Sequence, residues 1–289
     1  MQLQDKTALV TGANSGLGKA VATALARAGA RTLMLCRSAE RGNAAREDVV
    51  AATGNPRVEL LVCDLASQAD IRATAAAVHE RIDALHLLVN NAGTAFAERG
   101  LTADGVERSL AVNHLAPFLL TNLLLDRLRA GAPSRIVNVG TRIDTTMDFG
   151  DLNWERRRYR MMAAYGESKL GNLHFTRELA RRLAGTGVTV NCVFPGVFLS
   201  NLGGTDGAQN WALKVFAKTF GWALPKPEQA AERVLYLLTS DAVDGVTGEY
   251  FANRKPIRAP AQANDPAANA ELWRISAQLT GLSDAAKVG

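Results

Sequence analysis

Two side chains carry the strongest chemical signal in this sequence. Tyr165 and Lys169 stand four positions apart, so on a helix they share one face. An ammonium beside a phenol favours the phenolate and is expected to draw the tyrosine pKa down from about 10. A tyrosine tuned in this way acts as general acid toward a carbonyl oxygen, or as general base toward an alcohol. Alone, the pair would read as a surface aromatic beside a solvated lysine. The rest of the chain argues for chemistry. Thr11-Gly12-Ala13-Asn14-Ser15-Gly16-Leu17-Gly18 follows one apolar run and opens a helical one. Glycines there allow a tight turn and let the backbone approach a pyrophosphate, whose charge a helix N-terminus stabilises. A second apolar run, Arg31–Cys36, ends at Cys36-Arg37-Ser38. An acid at that point would accept from the ribose 2′-hydroxyl of NAD, whereas a guanidinium grips a 2′-phosphate. Arg37 therefore predicts NADP(H) as cofactor in preference to NAD(H).

The elements that must hold these residues alternate from the first positions. Strands are expected over Thr7–Val10, Arg31–Cys36, Val58–Cys63, Leu87–Asn90, Arg135–Val139 and Val188–Val193. Helices are expected from Gly16 to about Ala28, over Glu40–Ala52, about Gln68–Arg81, about Asp104–Arg129 and about Ala163–Ala184. Nearly continuous apolar strands separated by helices predict a parallel sheet covered on both faces, a doubly wound Rossmann fold in three α/β/α layers. No linker divides the chain, which predicts one domain over residues 1–289. Two stretches interrupt the rhythm, Arg142–Met162 and Leu199–Pro227. Both follow carboxyl ends of strands, where such folds bind ligands.

With these motifs in place, the chain resembles the short-chain dehydrogenase/reductase family over roughly residues 5 to 282. The glycine spacing is that family's cofactor motif. Asp64-Leu65 resembles its adenine-binding pair, and Asn90-Asn91-Ala92-Gly93 its strand-four motif. Tyr165 with Lys169 resembles its catalytic pair, and Pro195-Gly196 with Val197 its segment after strand six. The resemblance implies that Gly12, Asn14, Ser15, Gly16, Leu17, Gly18, Arg37, Asp64, Leu65, Asn91, Ala92, Gly93, Pro195, Gly196 and Val197 contact the cofactor together with Tyr165 and Lys169. It also implies that Asn113 is the fourth catalytic residue, holding a water in a proton relay. Thr141 takes the place of the usual serine; its hydroxyl still donates, but its methyl stiffens the rotamer and narrows the pocket. Val112-Asn113-His114-Leu115, Ser168-Lys169-Leu170, Phe175-Thr176-Arg177-Glu178-Leu179 and Gly248-Glu249-Tyr250-Phe251 are similar to the retinol-dehydrogenase-like branch.

Composition sets the outer limits. The 289 residues are 47% hydrophobic and 21% charged, which suits a globular chain and excludes disorder, collagen and a disulfide scaffold. A net charge of +5 is thin for nucleic-acid binding; its one dense run, Arg156, Arg157, Arg158 and Arg160, reads as a solvated face or as charge for an anionic cofactor, and the stretch from Trp154 to Tyr159 as part of the active-site rim. Cys36, Cys63 and Cys192 are widely spaced and read as reduced thiols, and the four histidines show no ligand spacing, so no metal site is expected. No apolar stretch reaches the ~18 residues of a membrane span, and Met1–Lys6 is too polar for a signal peptide. A cytoplasmic protein without a membrane anchor is therefore expected, as a monomer or a homo-oligomer. Asn210–Trp222 is amphipathic, with Trp211, Val215, Phe216 and Phe220 opposite Lys214 and Lys218, which fits a substrate lid within about 199–227 or a core-packing helix, in preference to an interfacial membrane helix. The reading is an enzyme moving hydride between nicotinamide and a small-molecule carbonyl or alcohol, a lipophilic aldehyde or ketone by analogy. The alternative is a catalytically weak cofactor-binding regulator of the same fold.

Overall fold

The computed structural model describes residues 2–142, 144–196 and 226–282. Its strands are β1 (Thr7–Thr11), β2 (Arg31–Cys36), β3 (Val58–Val62), β4 (Leu87–Asn90), β5 (Ser134–Val139), β6 (Val188–Phe194), β7 (Tyr250–Ala252) and β8 (Lys255–Pro256). They form one sheet in the order β3-β2-β1-β4-β5-β6-β7-β8. Pairing is parallel from β3 through β7, and β8 turns back antiparallel on β7. Strand order reverses beside β1, whose two neighbours are β2 and β4. That reversal opens a crevice at the carboxyl ends of the strands.

The helices are α1 (Gly16–Arg27), α2 (Ala39–Thr53), α3 (Gln68–Arg81), α4 (Arg108–Leu110), α5 (Ala116–Leu123), α6 (Leu125–Ala130), α7 (Met161–Arg182), α8 (Pro227–Thr239) and α9 (Pro266–Thr280). Because side chains alternate along a strand, each strand feeds both layers. Leu9, Leu33, Leu88 and Ile136 pack toward α3, α5, α6, α7 and α9. Ala8, Val10, Met34 and Val89 pack toward α1, α2 and α8. The three-layer α/β/α expectation therefore holds.

The expected helix over Asp104–Arg129 is corrected. It begins at Arg108, where the Glu107 carboxylate accepts from Leu110 N at 2.8 Å as the cap. Residues Ala111–Leu115 form a π-helical turn, and the helix breaks again at Leu124. Pro117 explains the first irregularity: it has no N–H to give to the Asn113 carbonyl four residues earlier.

The last helix has a specific role in this layer. Trp273 of α9 meets Phe118 edge-on at 4.9 Å and stacks on Phe175 at 6.0 Å, and the Arg182 guanidinium lies 4.2 Å over its ring. Two buried histidines add polar ties: His114 Nε2 pairs with Ser276 Oγ at 2.8 Å, and His174 Nδ1 with Asn269 Oδ1 at 2.6 Å. Among the described residues no helix is long and apolar enough to cross a membrane.

Candidate active site

The glycine turn is locked by Thr11, which the sequence alone marks only as part of the turn. Thr11 Oγ1, at the end of β1, accepts from both Asn91 N and Ala92 N at 3.0 Å. Asn91 Nδ2 returns a bond to Thr11 O at 2.8 Å. Gly12 needs its freedom because its φ is +65°, a region that disfavours side chains. Gly18 needs to be small for another reason: a Cβ there would collide with the Gly12 carbonyl and the Asn91 amide. Leu17 is buried under the turn, Asn14 is half-buried, and Ser15 and Gly16 are exposed at the N-terminus of α1. The unbonded backbone N–H groups of that first turn face the strand ends.

Around the crevice, Asp64 Oδ1 accepts from Ala66 N at 2.9 Å, and Leu65 packs half-buried against the core. Arg37 is exposed just beyond β2 and has no hydrogen bond or ion pair among the described residues. Gly93 lies against Lys169, such that a Cβ there would stand 2.7 Å from Nζ. Pro195 is buried, its carbonyl accepting from Arg233 Nη1, and Gly196 turns with φ +96°. Residues 197–225, which include Val197 and all but the last two positions of the expected lid, lie outside the described residues.

Tyr165, Lys169, Thr141 and Asn113 come together where β5 meets α7. Lys169 is buried and donates from Nζ to Val139 O at 3.0 Å. Burial draws its pKa down to about 8. Tyr165 is also buried, with the Thr141 side chain near enough to act on its phenol. Its pKa moves opposite to expectation: burial raises it, and the Thr141 contact offsets only part of that rise. The ammonium is committed to the Val139 carbonyl, and desolvation of the phenolate dominates. Thr141 is itself fixed by Tyr250 of β7, whose Oη donates to Thr141 O at 2.9 Å.

Asn113 sits in the π-helical turn with its side chain engaged. Its Nδ2 donates to Thr94 O at 2.8 Å and to Ser168 Oγ at 2.9 Å, and its Oδ1 accepts from Thr94 N at 2.8 Å. It thereby joins the loop after β4 to the turn of α7 between Tyr165 and Lys169. The side chain's geometry is that of a strut, and a relay role would fall to its carbonyl, whose α-helical donor Pro117 removes.

Comparison with known proteins agrees with this arrangement. A family model described as short chain dehydrogenase matches residues 6–211. Retinol dehydrogenase 13 of Homo sapiens is 44% identical over 284 residues, covering 96% of this chain and 85% of that protein. Retinol dehydrogenase 14 of Homo sapiens is 42% identical over 296 residues, covering 97% and 88%. Among solved structures, an uncharacterised protein from Mycobacterium paratuberculosis superposes with a TM-score of 0.77 at 32% identity, covering 97% of this chain and 95% of that one. A short chain dehydrogenase from Burkholderia cenocepacia in complex with NADP superposes at 0.67 with 29% identity, covering 87% and 97%. A match of this length, on a glycine turn, a tyrosine–lysine helix and a kinked asparagine helix assembled at the carboxyl ends of the central strands, has one reading: the chain belongs to the short-chain dehydrogenase/reductase family, in its retinol-dehydrogenase-like branch.

Proposed function

We propose that this protein is an NADP(H)-dependent reductase or dehydrogenase acting on a lipophilic aldehyde, ketone or the matching alcohol, in a reducing cytoplasmic setting. The observation that carries the reading is the placement of Tyr165 beside Thr141, one helical turn from a buried Lys169. It supplies two hydroxyls for one substrate oxygen. The crevice fits a dinucleotide: Gly93 leaves open the space beside Lys169, and Ser15 and Gly16 present backbone at the N-terminus of α1. Arg37, exposed and without a partner among the described residues, suits a 2′-phosphate. Arg41 lies close enough to act on the Cys36 thiol and adds positive charge to the same corner. NADP in the Burkholderia relative points the same way. Buried free Cys36, Cys63 and Cys192 agree with a reducing compartment.

The glycine turn, Gly93 and Lys169 would hold a nicotinamide cofactor in the crevice, and it would supply or accept hydride at the substrate carbon. In the reductive direction Tyr165 delivers its phenolic proton to the carbonyl oxygen, while Thr141 donates a hydrogen bond to the same oxygen. Burial keeps Tyr165 protonated, which suits an acid. Lys169, buried one helical turn along α7 and held by the Val139 carbonyl, places its ammonium on the cofactor side of Tyr165, beside the space that Gly93 leaves open. Asn113 holds the loop and helix so that this pair keeps its spacing.

Fluorescence titration with NADPH and NADH, followed by a panel of aliphatic aldehydes and ketones, tests the proposal. Tyr165→Phe should lower turnover by about 10²–10⁴-fold with NADPH affinity unchanged; full activity in that variant would remove Tyr165 from the chemistry. Arg37→Glu should reverse the preference between NADPH and NADH, and an unchanged preference would discard the 2′-phosphate argument. Tight NADPH binding without turnover across the panel would favour the regulator instead.

A further inference from the structure

The segment between β5 and α7 is built around one arginine. Arg157 Nε donates to Asp151 Oδ2 at 3.1 Å, and its Nη2 to Asp151 O at 2.9 Å. Nη1 and Nη2 also reach Glu167 Oε1 and Oε2 at 2.8 and 3.1 Å, a two-pronged pair. Both carboxylates are buried. The guanidinium stacks 3.9 Å over Trp154, which takes an unusual φ of +54°. Asp151 Oδ1 further accepts from the backbone N–H of Glu155 at 2.8 Å and Arg156 at 3.3 Å. Glu167 lies on α7 between Tyr165 and Lys169. One cation thus joins residues 151–157 to the helix turn that carries the tyrosine and lysine.

The far side of the same segment is bonded to the loop after β4. Asn153 O accepts from Arg99 Nε at 2.7 Å, and Asn153 Oδ1 accepts from Glu107 N at 2.9 Å. Tyr159 Oη donates to Phe96 O at 3.1 Å and to Glu107 Oε1 at 3.2 Å. Asp64, Arg37 and the glycine turn make no contact with this cluster through any of these bonds. The arginine run expected to form a solvated face therefore includes one member with an internal task.

We propose that Arg157 is a positioning residue that clamps segment 144–160 to α7, so that the substrate-side wall depends on it and the nucleotide side does not. The proposal rests on the proposed function, in which the substrate oxygen meets Tyr165 and Thr141, the residues that flank segment 144–160 on α7 and after β5. Its mechanical part stands apart from that reading. Loss of Arg157 leaves Asp151 and Glu167 as two buried carboxylates without their shared cation. Lysine keeps the charge and loses the planar fork that serves both acids at once.

Hydrogen exchange read by mass spectrometry on the full chain tests the clamp. In Arg157→Met, the amides of residues 155–157 should exchange at least about tenfold faster, with those of residues 7–18 unchanged. Equal exchange in variant and wild type overturns the clamp, and so does acceleration spread evenly over both segments. Kinetics with NADPH then tests what the clamp positions, using propanal and dodecanal. The expected result is a KM for dodecanal raised about tenfold or more, kcat within about threefold, and an unchanged NADPH Kd, with Arg157→Lys between the two. A rise in NADPH Kd parallel to KM, or a fall in kcat at constant KM, overturns the positioning role. Glu167→Gln, which keeps the side-chain shape, carries both measurements if Arg157→Met does not fold. Absence of turnover in wild type itself would sink the proposed function, while the exchange result would still decide the clamp.

Discussion

Lys169 sets the stability of the fold against its chemistry, and the conflict is measurable. The side chain is 4% exposed, and its one hydrogen bond among the described residues goes to Val139 O at 3.0 Å. Burial moves its pKa from 10.5 to about 8. A displacement of that size means that the folded state holds the ammonium at a cost of about 3 kcal/mol relative to the unfolded chain. Below about pH 8 the cost is present in full. Between about pH 8 and 10.5 the unfolded chain keeps a proton that the folded chain has released, so this group's contribution to stability improves as pH rises. Lys169→Met retains an apolar stem and removes the charge, but it leaves the Val139 carbonyl without its donor, a loss of about 1 kcal/mol. The variant should therefore be about 2 kcal/mol more stable than wild type at pH 7 by this balance, and the advantage should disappear by about pH 10.5. Urea denaturation followed by tryptophan fluorescence at both pH values measures the difference. Taking the difference between the proteins cancels Cys36 and Cys63, whose pKa values, raised to about 11 by burial, act in the opposite direction. A gap that does not change with pH would refute burial of the ammonium as the cause, as would a variant less stable than wild type at pH 7.

Three further outcomes follow from particular contacts. Burial holds the His114 imidazole at a pKa of about 3 while the unfolded chain titrates near 6.5, so protons bind the unfolded state first and stability falls as pH drops between those values. Its share approaches about 5 kcal/mol at the acid end, and His114→Gln should flatten the acid limb of a denaturation curve read by circular dichroism. Phe118→Ala empties a fully buried site against Phe175 and Trp273 and should cost about 3–5 kcal/mol in urea unfolding; a cost under about 1 kcal/mol would mean that α9 collapses into the space. Gly18→Ala places a methyl against the Gly12 carbonyl and should weaken NADPH binding by about tenfold or more in a fluorescence titration.

The central architecture was legible in the sequence because parallel strands buried on both faces leave unmistakable apolar runs, and the glycine turn marks the first crossover. What escaped notice escaped for physical reasons. The π-helical turn at Ala111–Leu115 has the same apolar period as a regular helix, and Pro117 was its one local signal. β7 and β8 have three and two residues, too few for an alternation to register. Arg157 reads as one member of a solvated arginine run because its partners Asp151 and Glu167 lie on either side of it in the chain at spacings with no helical meaning. Thr11 was visible only as a turn residue, since its two donors come from Asn91 and Ala92, far along the sequence. Local pattern reveals elements; a contact that crosses from one element to another leaves a trace only where a residue type is out of place.

Such residues line the joint between α7 and the sheet. Asn90 of β4 donates from Nδ2 to Asn138 Oδ1 at 2.8 Å and to Thr121 Oγ1 at 3.0 Å, and Asn138 of β5 donates from Nδ2 to Thr176 Oγ1 at 2.9 Å. All four are buried, where apolar residues would pack as well and where an unpaired amide is costly. Thr176 lies three helical turns beyond Tyr165 on the same face of α7. Apolar contacts tolerate a small slide of a helix along a sheet, whereas a directed hydrogen bond from Asn138 does not. A slip of one residue would rotate Tyr165 by about 100° around the helix axis and carry it away from Thr141. The buried amides on the central strands thus fix the register on which the tyrosine, lysine and threonine depend, at a distance from the reacting atoms.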